Sequence, residues 1–192
     1  MEKLIIGISG MSRAGKDTIA KKLKEVFGLS FVCTCTDRPM RNYETNGKEH
    51  WFFTREEFDH LLETEETMFF TEIVNEEEKA KDPHYHGVRY VTRKKDLPDR
   101  AIWILDIHGI RELKESGIPC FIILVKASEE HRRKQALENG ISEDVFEKRW
   151  KDEKEQFEGA EMLFDTILIN DGTKEELYQK AVQKVQEYME RA

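Results

Sequence analysis

A glycine-rich segment with one lysine stands near the start of the chain, and its residue types suit the binding of phosphate. The segment reads GMSRAGKDT from Gly10 to Thr18. Glycines let the backbone wrap an anion without Cβ clashes, and the N–H groups that open a helix point at that anion. Lys16 supplies a mobile positive charge that can follow a phosphoryl group during transfer. Because an apolar run precedes the segment and a helical pattern follows it, we predict a phosphate loop.

The residue after the lysine departs from the usual phosphate-loop pattern. Asp17 stands where a serine or threonine commonly binds magnesium, and Thr18 follows one position later. A carboxylate is a hard oxygen ligand, so Asp17 could hold Mg2+ directly or through water. An acidic residue in the first turn of a helix is equally well explained by the helix dipole, which stabilises it there. Both interpretations stay open at this stage.

Two arginines, Arg38 and Arg41, follow the second predicted strand with Pro39 between them. The guanidinium group offers a bidentate fork that matches phosphate geometry. Two loop arginines are commonly solvated surface residues, but this pair comes at the mouth of a predicted sheet that already carries a phosphate loop. We therefore predict that both arginines converge on one phosphate.

The elements that must position these residues follow from the hydrophobic pattern. Apolar runs alternate with amphipathic helical patterns, which predicts an α/β fold whose parallel sheet has helices on both faces. The predicted strands cover residues 3–9, 29–33, 101–107, 120–125 and 166–169, and the predicted helices cover residues 16–27, 110–115, 129–137, 143–156 and 174–189.

The stretch from residue 36 to residue 97 breaks this alternation. It contains an aromatic strand at 51–53, a short helix at 55–62, and two further strands at 68–74 and 87–92. We interpret it as a small sheet-and-helix subdomain inserted between the second and third strands of the main sheet.

Length and charge narrow the classes of protein to consider. The chain has 192 residues, and 31 basic against 39 acidic side chains give a formal charge of −8. That balance argues against nucleic acid or an anionic membrane as a partner, although a locally positive pocket remains compatible with it. Three cysteines do not make a disulfide framework. With no run of membrane-spanning length and no signal peptide, we expect a cytoplasmic protein.

An ordered series of motifs follows the phosphate loop and resembles the guanylate kinases, a family of P-loop nucleoside monophosphate kinases. The resemblance extends to about residue 171, nearly the whole chain. It implies a three-layer P-loop kinase fold with a five-stranded parallel sheet, a monophosphate-binding insert and a short lid. The motifs lie at residues 36–41, 44, 46–52, 55–58, 84–87, 105–109, 142–145, 149 and 169–171.

The resemblance also implies a single domain over residues 1–192. Its core would comprise residues 1–35, 98–133 and 149–192, with the acceptor-binding insert at 36–97 and the lid at 134–148. The lid is thinner than is usual for the family, because an Arg-Gly-Arg run is replaced by Glu138-Asn139-Gly140.

For the donor side, the resemblance implies that ATP binds with Mg2+. Asn170 would meet the adenine, and Arg133 and Arg149 would be lid arginines that stabilise the transferring group together with Lys16 and Arg38. Asp106 would organise the metal with Asp17 and Thr18. The loop residues that would contact the triphosphate are Gly10, Ser12, Arg13, Ala14, Gly15, Lys16, Asp17 and Thr18.

For the acceptor side, the resemblance implies a small phosphorylated molecule whose phosphate is held by Arg38 and Arg41, with Tyr85 as a third contact. His50 stands where the family has a phosphate-binding tyrosine. Thr34 matches a hydroxyl that contacts the guanine edge. The substrate-binding set is completed by Gly87 and Asp106.

Several positions depart from the pattern by which guanylate kinases read guanine. Phe69 or Phe70 replaces one guanine-reading acid, with Glu72 as a displaced substitute, and Ile104 replaces the other. Val88 replaces a hydroxyl. Each buried guanine N–H left without an acceptor costs about 1–3 kcal/mol, so these changes should weaken discrimination for guanine.

The acceptor therefore has ranked alternatives. We place GMP or dGMP first, another nucleoside monophosphate second, and a sugar phosphate third. The last follows from features shared with ribose 1,5-bisphosphate phosphokinase, such as the Gly-Lys-Asp loop and His50. A catalytically inactive protein-binding module is a further alternative, but the intact glycines and Lys16 argue against it. The sequence is compatible with a monomer or a homodimer.

Overall fold

The computed structural model describes residues 3–74, 79–80 and 85–191, and the chain divides into two compact units. One comprises Met1–Phe31 with Asp99–Ala192, and the other is Val32–Pro98. The predicted insert, residues 36–97, lies within the second unit. The strands are β1 Leu4–Ser9, β2 Ser30–Phe31, β3 Thr34–Thr36, β4 His50–Phe52, β5 Thr67–Ile73, β6 Val88–Arg93, β7 Arg100–Ile104, β8 Cys120–Lys126 and β9 Thr166–Ile169.

The helices of the described residues alternate with the strands of the first unit, and one lies in the second unit. Two 3-10 turns, Lys94–Asp96 and Glu161–Leu163, accompany them. The helices are α1 Lys16–Phe27, α2 Arg55–Thr64, α3 Ile107–Glu115, α4 Glu129–Glu138, α5 Glu143–Phe157 and α6 Lys174–Met189.

The first unit is built on a five-stranded sheet in the order β2-β7-β1-β8-β9. Every pairing in it is parallel, which confirms the predicted fold class. The central strand β1 is buried over its last five residues, as expected where helices cover both faces of a parallel sheet. The order also leaves the end of β1 flanked by β7 and β8, and the phosphate-loop segment begins at that end.

The core of the first unit joins this sheet to α1 and α6. Ile19, Ala20 and Leu23 of α1 are buried, as are Leu177 and Ala181 of α6. They belong to one apolar cluster with strand residues of β1, β7 and β8. Each large aliphatic side chain buried in this way contributes about 1.5–3 kcal/mol, so the cluster fixes the start of α1 on the sheet.

The second unit has its own mixed sheet in the order β4-β3-β6-β5. β3 pairs with β4 in parallel and with β6 in antiparallel fashion. The helix α2 begins with a capping box in which Thr54 and Glu57 bond each other's backbone N–H groups. Its buried residues Phe58 and Leu61 pack with Cys35 and Val91, which gives this unit a separate small core.

Several predicted boundaries differ from the structure, and three of the differences have a clear physical cause. The second strand, predicted at 29–33, is only Ser30–Phe31, because the chain leaves the first sheet and pairs with β4 from Thr34 onward. The third strand, predicted at 101–107, ends at Ile104. The helix predicted from residue 110 begins at Ile107, because the Asp106 side chain caps it by accepting a hydrogen bond from the Gly109 N–H.

Candidate active site

The segment predicted to bind phosphate connects β1 to the first turn of α1. Two of its glycines adopt positive φ angles, 147° at Gly10 and 103° at Gly15. A Cβ at Gly10 would overlap the Val125 carbonyl oxygen, and one at Gly15 would lie 2.6 Å from Asn170 Nδ2. The loop therefore needs glycine at both positions for its conformation and for close packing.

The lysine of the loop folds back over it. Lys16 Nζ donates hydrogen bonds to the carbonyl oxygens of Gly10 at 2.6 Å and Met11 at 3.0 Å. Burial lowers the pKa of this ammonium group, and the nearby carboxylates of Glu153 and Asp17 oppose that shift. The charge is thus held at the loop, within reach of an anion that binds there.

A cavity of about 530 Å³ opens beside the loop. The predicted donor residues Ser12, Arg13, Gly15, Lys16, Asp17, Thr18 and Arg149 all line it. Gln135 and Asn139, near the end of α4, complete the lining. The structure therefore brings Arg149, which lies far along the chain on α5, to the same cavity as the loop lysine. A cavity with this lining offers backbone N–H groups and the three cations Arg13, Lys16 and Arg149 to a polyphosphate.

Asn170 supports the backbone of the loop. Its side chain is 9% exposed, and its Nδ2 donates a hydrogen bond to the Ala14 carbonyl oxygen at 2.9 Å. The resemblance assigns this residue to the adenine. In the structure its amide braces the loop residue next to Gly15, so its observed contact is with protein backbone.

Arg133, the other predicted lid arginine, lies apart from the described residues that line the cavity. It forms ion pairs with Glu129 on its own helix and with Glu143 and Glu147 on α5. The hydrogen bonds that Arg133 donates, first to Glu129 and then to Glu147, raise its pKa. The side chain therefore ties α4 to α5 across the turn between them.

Two residues that the sequence analysis did not single out meet the loop at Ser12. Both carboxylate oxygens of Glu153, on α5, lie 2.9 Å from the Ser12 N–H, and the Ser12 hydroxyl also donates to this carboxylate. Arg132 Nη1 donates to Glu153 Oε2 at 3.3 Å and to the Ser12 carbonyl oxygen at 3.4 Å. Both residues stand on helices crowded with charged side chains, so no strong sequence signal marked them. A faint one exists, because Arg132 falls four positions before the buried Ala136.

The residues predicted for Mg2+ offer suitable donor atoms. Asp17 and Thr18 line the cavity, whereas Asp106 is exposed and caps α3 through its bond with Gly109. Within the described part of the chain, no three His, Cys, Asp or Glu side chains form a group that could hold a metal ion. Mg2+ usually takes one or two carboxylates and completes its shell with water and phosphate oxygens, so the donors fit that ion.

In the second unit, Glu44 organises the predicted acceptor arginines. Arg38 donates from Nη1 and Nη2 to the two oxygens of Glu44 at 2.7 and 2.5 Å, and the Arg41 N–H donates to the same carboxylate at 2.8 Å. Arg38 also stands over the ring of Phe52 and bonds the Tyr90 hydroxyl at 3.2 Å. The hydrogen bond from Arg38 lowers the pKa of Glu44 to about 2. Arg38 therefore meets the Glu44 carboxylate through its guanidinium and Arg41 through its backbone N–H, while the Arg41 guanidinium donates to the Tyr43 hydroxyl at 2.9 Å. Convergence of both side chains on one phosphate stays a prediction.

A buried ion pair fixes the backbone that precedes Arg38. Asp37 accepts hydrogen bonds from the N–H of Arg89 at 2.8 Å and from its Nε at 2.7 Å. Arg89 stacks over Phe58 and also pairs with Asp59. This pairing, 52 residues apart in sequence, was not predicted, and it anchors the arginine loop to β6.

His50 and Thr34 bond each other. Thr34 Oγ1 and His50 Nδ1 lie 2.7 Å apart across the parallel pairing of β3 with β4. Burial lowers the pKa of His50, and the positive charge of Arg38 lowers it further. The imidazole is therefore neutral at pH 7, with Nδ1 engaged by Thr34 and Nε2 directed away from that bond.

The remaining predicted acceptor residues lie near the start of β6. Tyr85 is half-buried. Gly87 has a φ of 76°, and a Cβ there would come within 2.9 Å of the Ile73 carbonyl oxygen. His84, the first residue of that motif, lies outside the described residues.

The residues that replace the guanine-reading acids differ in their exposure and backbone conformation. Phe69 is buried with a φ of 60°, at a register irregularity between Met68 and Thr71 where β5 pairs with β6. Phe70 is 41% exposed. Glu72 is exposed on β5, so a carboxylate is available there to a ligand. The structure therefore agrees with the sequence that the positions of the usual guanine-reading acids carry apolar side chains.

Comparisons with known proteins give a consistent result. The family model described as guanylate kinase matches residues 1–192. The chain is 26% identical over 171 residues to the guanylate kinase of Fusobacterium nucleatum, covering 85% of each chain. It is 28% identical to that of Koribacter versatilis, covering 89% of this chain and 73% of the relative. The solved structure of guanylate kinase from Anaplasma phagocytophilum matches 97% of this chain and 86% of its own with a TM-score of 0.65, at 18% identity.

Proposed function

The chain belongs to the guanylate kinase family, and on that premise we propose that it transfers the terminal phosphoryl group of ATP to GMP. The observation that carries the proposal is the cavity in which the phosphate loop, Lys16 and Arg149 meet. A module that only binds proteins has no use for that arrangement. Two relatives that each align over most of this chain are guanylate kinases by name, which supports GMP over the other acceptors considered above.

The donor residues act by holding and neutralising charge. The N–H groups of the loop and the start of α1 bind the phosphates of ATP. Lys16 leaves its carbonyl partners on Gly10 and Met11 to follow the phosphoryl group, and Arg149 takes up negative charge on the oxygens of that group. Asp17 and Thr18 would hold Mg2+, which when bound neutralises phosphate charge and orients the phosphates.

The acceptor residues fix the phosphate of GMP. The Arg38 side chain is already held by the Glu44 carboxylate, so it loses little further freedom when a phosphate arrives. The exposed Arg41 side chain would turn from the Tyr43 hydroxyl to that phosphate. His50 would donate from Nε2 in the tautomer in which its Nδ1 accepts the hydrogen bond of the Thr34 hydroxyl. Transfer needs no covalent intermediate, because the acceptor phosphate is itself the nucleophile once both phosphates are held in line.

We further propose that residues 134–148 act as a lid. Gln135 and Asn139 line the donor cavity, and this segment contains the turn between α4 and α5 with Gly140 at a φ of 75°. Movement there would exclude water from the reacting phosphates. The ion pairs of Arg133 with both helices would limit how far the segment opens.

A cytoplasmic location is part of the proposal. Cys33, Cys35 and Cys120 are all free thiols, as a reducing compartment such as the cytoplasm favours. Within the described residues, no helix combines the length and the apolar character needed to cross a lipid bilayer.

Replacement of the loop lysine tests the proposal. With Lys16→Ala we expect kcat for GMP-dependent ADP formation to fall about a hundred- to a thousandfold, because the transferring group loses its mobile cation. Lys21→Ala, an exposed lysine on the same helix, serves as the matched control and should keep its kcat. Equal turnover by Lys16→Ala and Lys21→Ala would refute the proposal.

A further inference from the structure

The carboxylate of Glu153 occupies an anion site in the phosphate loop. It accepts hydrogen bonds from the N–H and the hydroxyl of Ser12 and from Arg132 Nη1. Three donors converging on one oxyanion, two of them from a single loop residue, form the kind of site that binds a phosphate oxygen. Here a side chain of the protein itself fills it.

Arg132 has more donor capacity than its present partners use. Its side chain is 2% exposed, and its Nη2 has no hydrogen-bond partner among the described residues. A buried donor without a partner carries a free-energy penalty. The guanidinium packs near the ring of Phe146, which holds it close to Ser12 and leaves that donor ready for a further acceptor.

The position of Glu153 relative to Lys16 indicates which phosphate is concerned. Ser12, which bonds the carboxylate, lines the same cavity as Lys16, and the charge of the carboxylate opposes the lowering of the lysine pKa by burial. In phosphate loops the lysine reaches the β- and γ-phosphates. An anion that shares the surroundings of Lys16 and the N–H of Ser12 therefore stands at the terminal end of the triphosphate.

We propose that Glu153 is a placeholder for the terminal phosphate of ATP, and that Arg132 is a further phosphate-binding residue of this site. The inference rests on the proposed function only in taking ATP as the donor. Two anions cannot share the same three donors, so Glu153 leaves Ser12 when the triphosphate binds. Arg132 Nη1 and Ser12 then bind the terminal phosphate in place of the carboxylate.

The placeholder discriminates between substrate and product nucleotides. ATP must displace Glu153 before its terminal phosphate reaches Ser12, whereas ADP has no phosphate at that position. After transfer the carboxylate returns to Ser12 and Arg132. Glu153 thus weakens ATP binding selectively and leaves ADP binding nearly unchanged.

Binding measurements on the full chain test this inference. The probes are ADP and adenylyl imidodiphosphate, a triphosphate analogue that is not hydrolysed, titrated calorimetrically into the wild type, Glu153→Gln and Glu153→Ala. We expect both variants to bind the triphosphate analogue about tenfold or more tightly than the wild type does, with ADP affinity within about twofold. Glu155→Gln removes the same charge from an exposed position on the same helix and should change neither affinity.

Other results overturn the inference. Unchanged or weakened analogue binding in the Glu153 variants refutes the placeholder, and equal tightening of ADP refutes its assignment to the terminal phosphate. Arg132→Lys, which keeps the buried charge, should weaken analogue binding more than ADP binding, and equal affinities to the wild type would refute the role of Arg132. A wild type that binds the analogue but does not phosphorylate GMP would defeat the proposed acceptor and leave this inference standing. A wild type that binds neither nucleotide would defeat both.

Discussion

At the scale of single residues, Glu44 decides how the acceptor arginines are presented. The side chains of Arg38 and Glu44 are 9% and 4% exposed, and the backbone of Arg41 turns onto the same carboxylate. The negative charge of Glu44 repels a phosphate, so electrostatic attraction does not explain why a carboxylate stands at this site. Its role is positional, because a guanidinium with a fixed partner presents its remaining donors in one direction.

Removing that carboxylate gives a direct prediction. We expect Glu44→Gln to raise the KM for GMP about five- to tenfold, because Arg38 loses its bidentate, charge-assisted partner, while the KM for ATP stays within twofold. Steady-state kinetics with each substrate varied in turn measures both. Glu56→Gln, at an exposed position of α2, is the matched control. A raised KM for ATP in Glu44→Gln would point to general damage instead.

The pKa of Glu44 sets the pH range of this effect. Its pKa falls from 4.5 to about 2 through the hydrogen bond from Arg38. A carboxylate with a depressed folded-state pKa stabilises the fold above its unfolded pKa, and the contribution is lost as the pH falls through 4.5 toward 2. Glu44 should therefore stay ionised, and its ion pair with Arg38 intact, throughout the neutral pH range.

Residue types in sequence order were enough to predict the phosphate loop and to mark Arg38 and Arg41, whose convergence on one phosphate stays a prediction. They were not enough for Arg132 and Glu153, which are 21 residues apart on two helices full of charged side chains. Whether a charged helical residue faces water or a loop depends on packing between helices, and charge alone does not encode it. The contact of Asn170 with Ala14 was missed because it joins residues 156 positions apart, a proximity that sequence order does not show.

At the scale of elements, the phosphate loop depends on how closely β8 passes it. Gly10 directly follows β1, and its backbone lies against the carbonyl of Val125 on the neighbouring strand. The glycine is therefore required twice, once for its φ angle and once for space. The alternation of strands and helices was predictable because buried parallel strands read as continuous apolar runs. The ends of β2 and β7 were not predictable, because β2 ends where the chain changes sheet and β7 ends before the helix that the Asp106 side chain caps.

Two glycine substitutions separate these requirements. Gly28→Ala, at a φ of 63° with open space around it, should lower the free energy of unfolding by about 1–2 kcal/mol from backbone strain alone. Gly10→Ala should lower it by at least about 2 kcal/mol more, since its Cβ also overlaps the Val125 carbonyl. Urea denaturation of both variants measures the difference. Similar losses in the two variants would show that β8 yields to a side chain at Gly10.

At the scale of the whole molecule, a chain of net charge −8 carries the cations that we propose bind phosphate in two groups, one in each unit. In the first unit Lys16 and Arg149 line the cavity beside the phosphate loop, where Arg132 contacts Ser12. In the second unit Arg38 binds Glu44 through its side chain and Arg41 binds it through its backbone. Local positive charge suffices to bind the phosphates of a nucleotide, while the acidic remainder disfavours long polyanions. Composition was enough to predict that long polyanions are disfavoured as partners. The order of the motifs was enough to predict a donor site and an acceptor site.

The identity of the acceptor was the least predictable property of the molecule. Phe69 or Phe70, Ile104 and Val88 stand where the resemblance implies polar groups for guanine. In the structure Phe69 is buried, Ile104 and Val88 are half-buried, and Phe70 is exposed. Base recognition depends on a few hydrogen bonds. When other residues of the site make those bonds instead, no sequence motif shows it. Membership of the guanylate kinase family outweighs these departures and favours GMP.

A panel of acceptors in one coupled assay of ADP formation tests the central claim most directly. The acceptors are GMP, dGMP, AMP, CMP, UMP and ribose 1,5-bisphosphate, each with ATP and Mg2+, and Lys16→Ala supplies the blank. We expect GMP to give the highest kcat/KM, at least about tenfold above any acceptor without guanine, since a site that bonds the base rejects others. The account is contradicted if GMP gives no rate above the blank while another acceptor, ribose 1,5-bisphosphate above all, is phosphorylated.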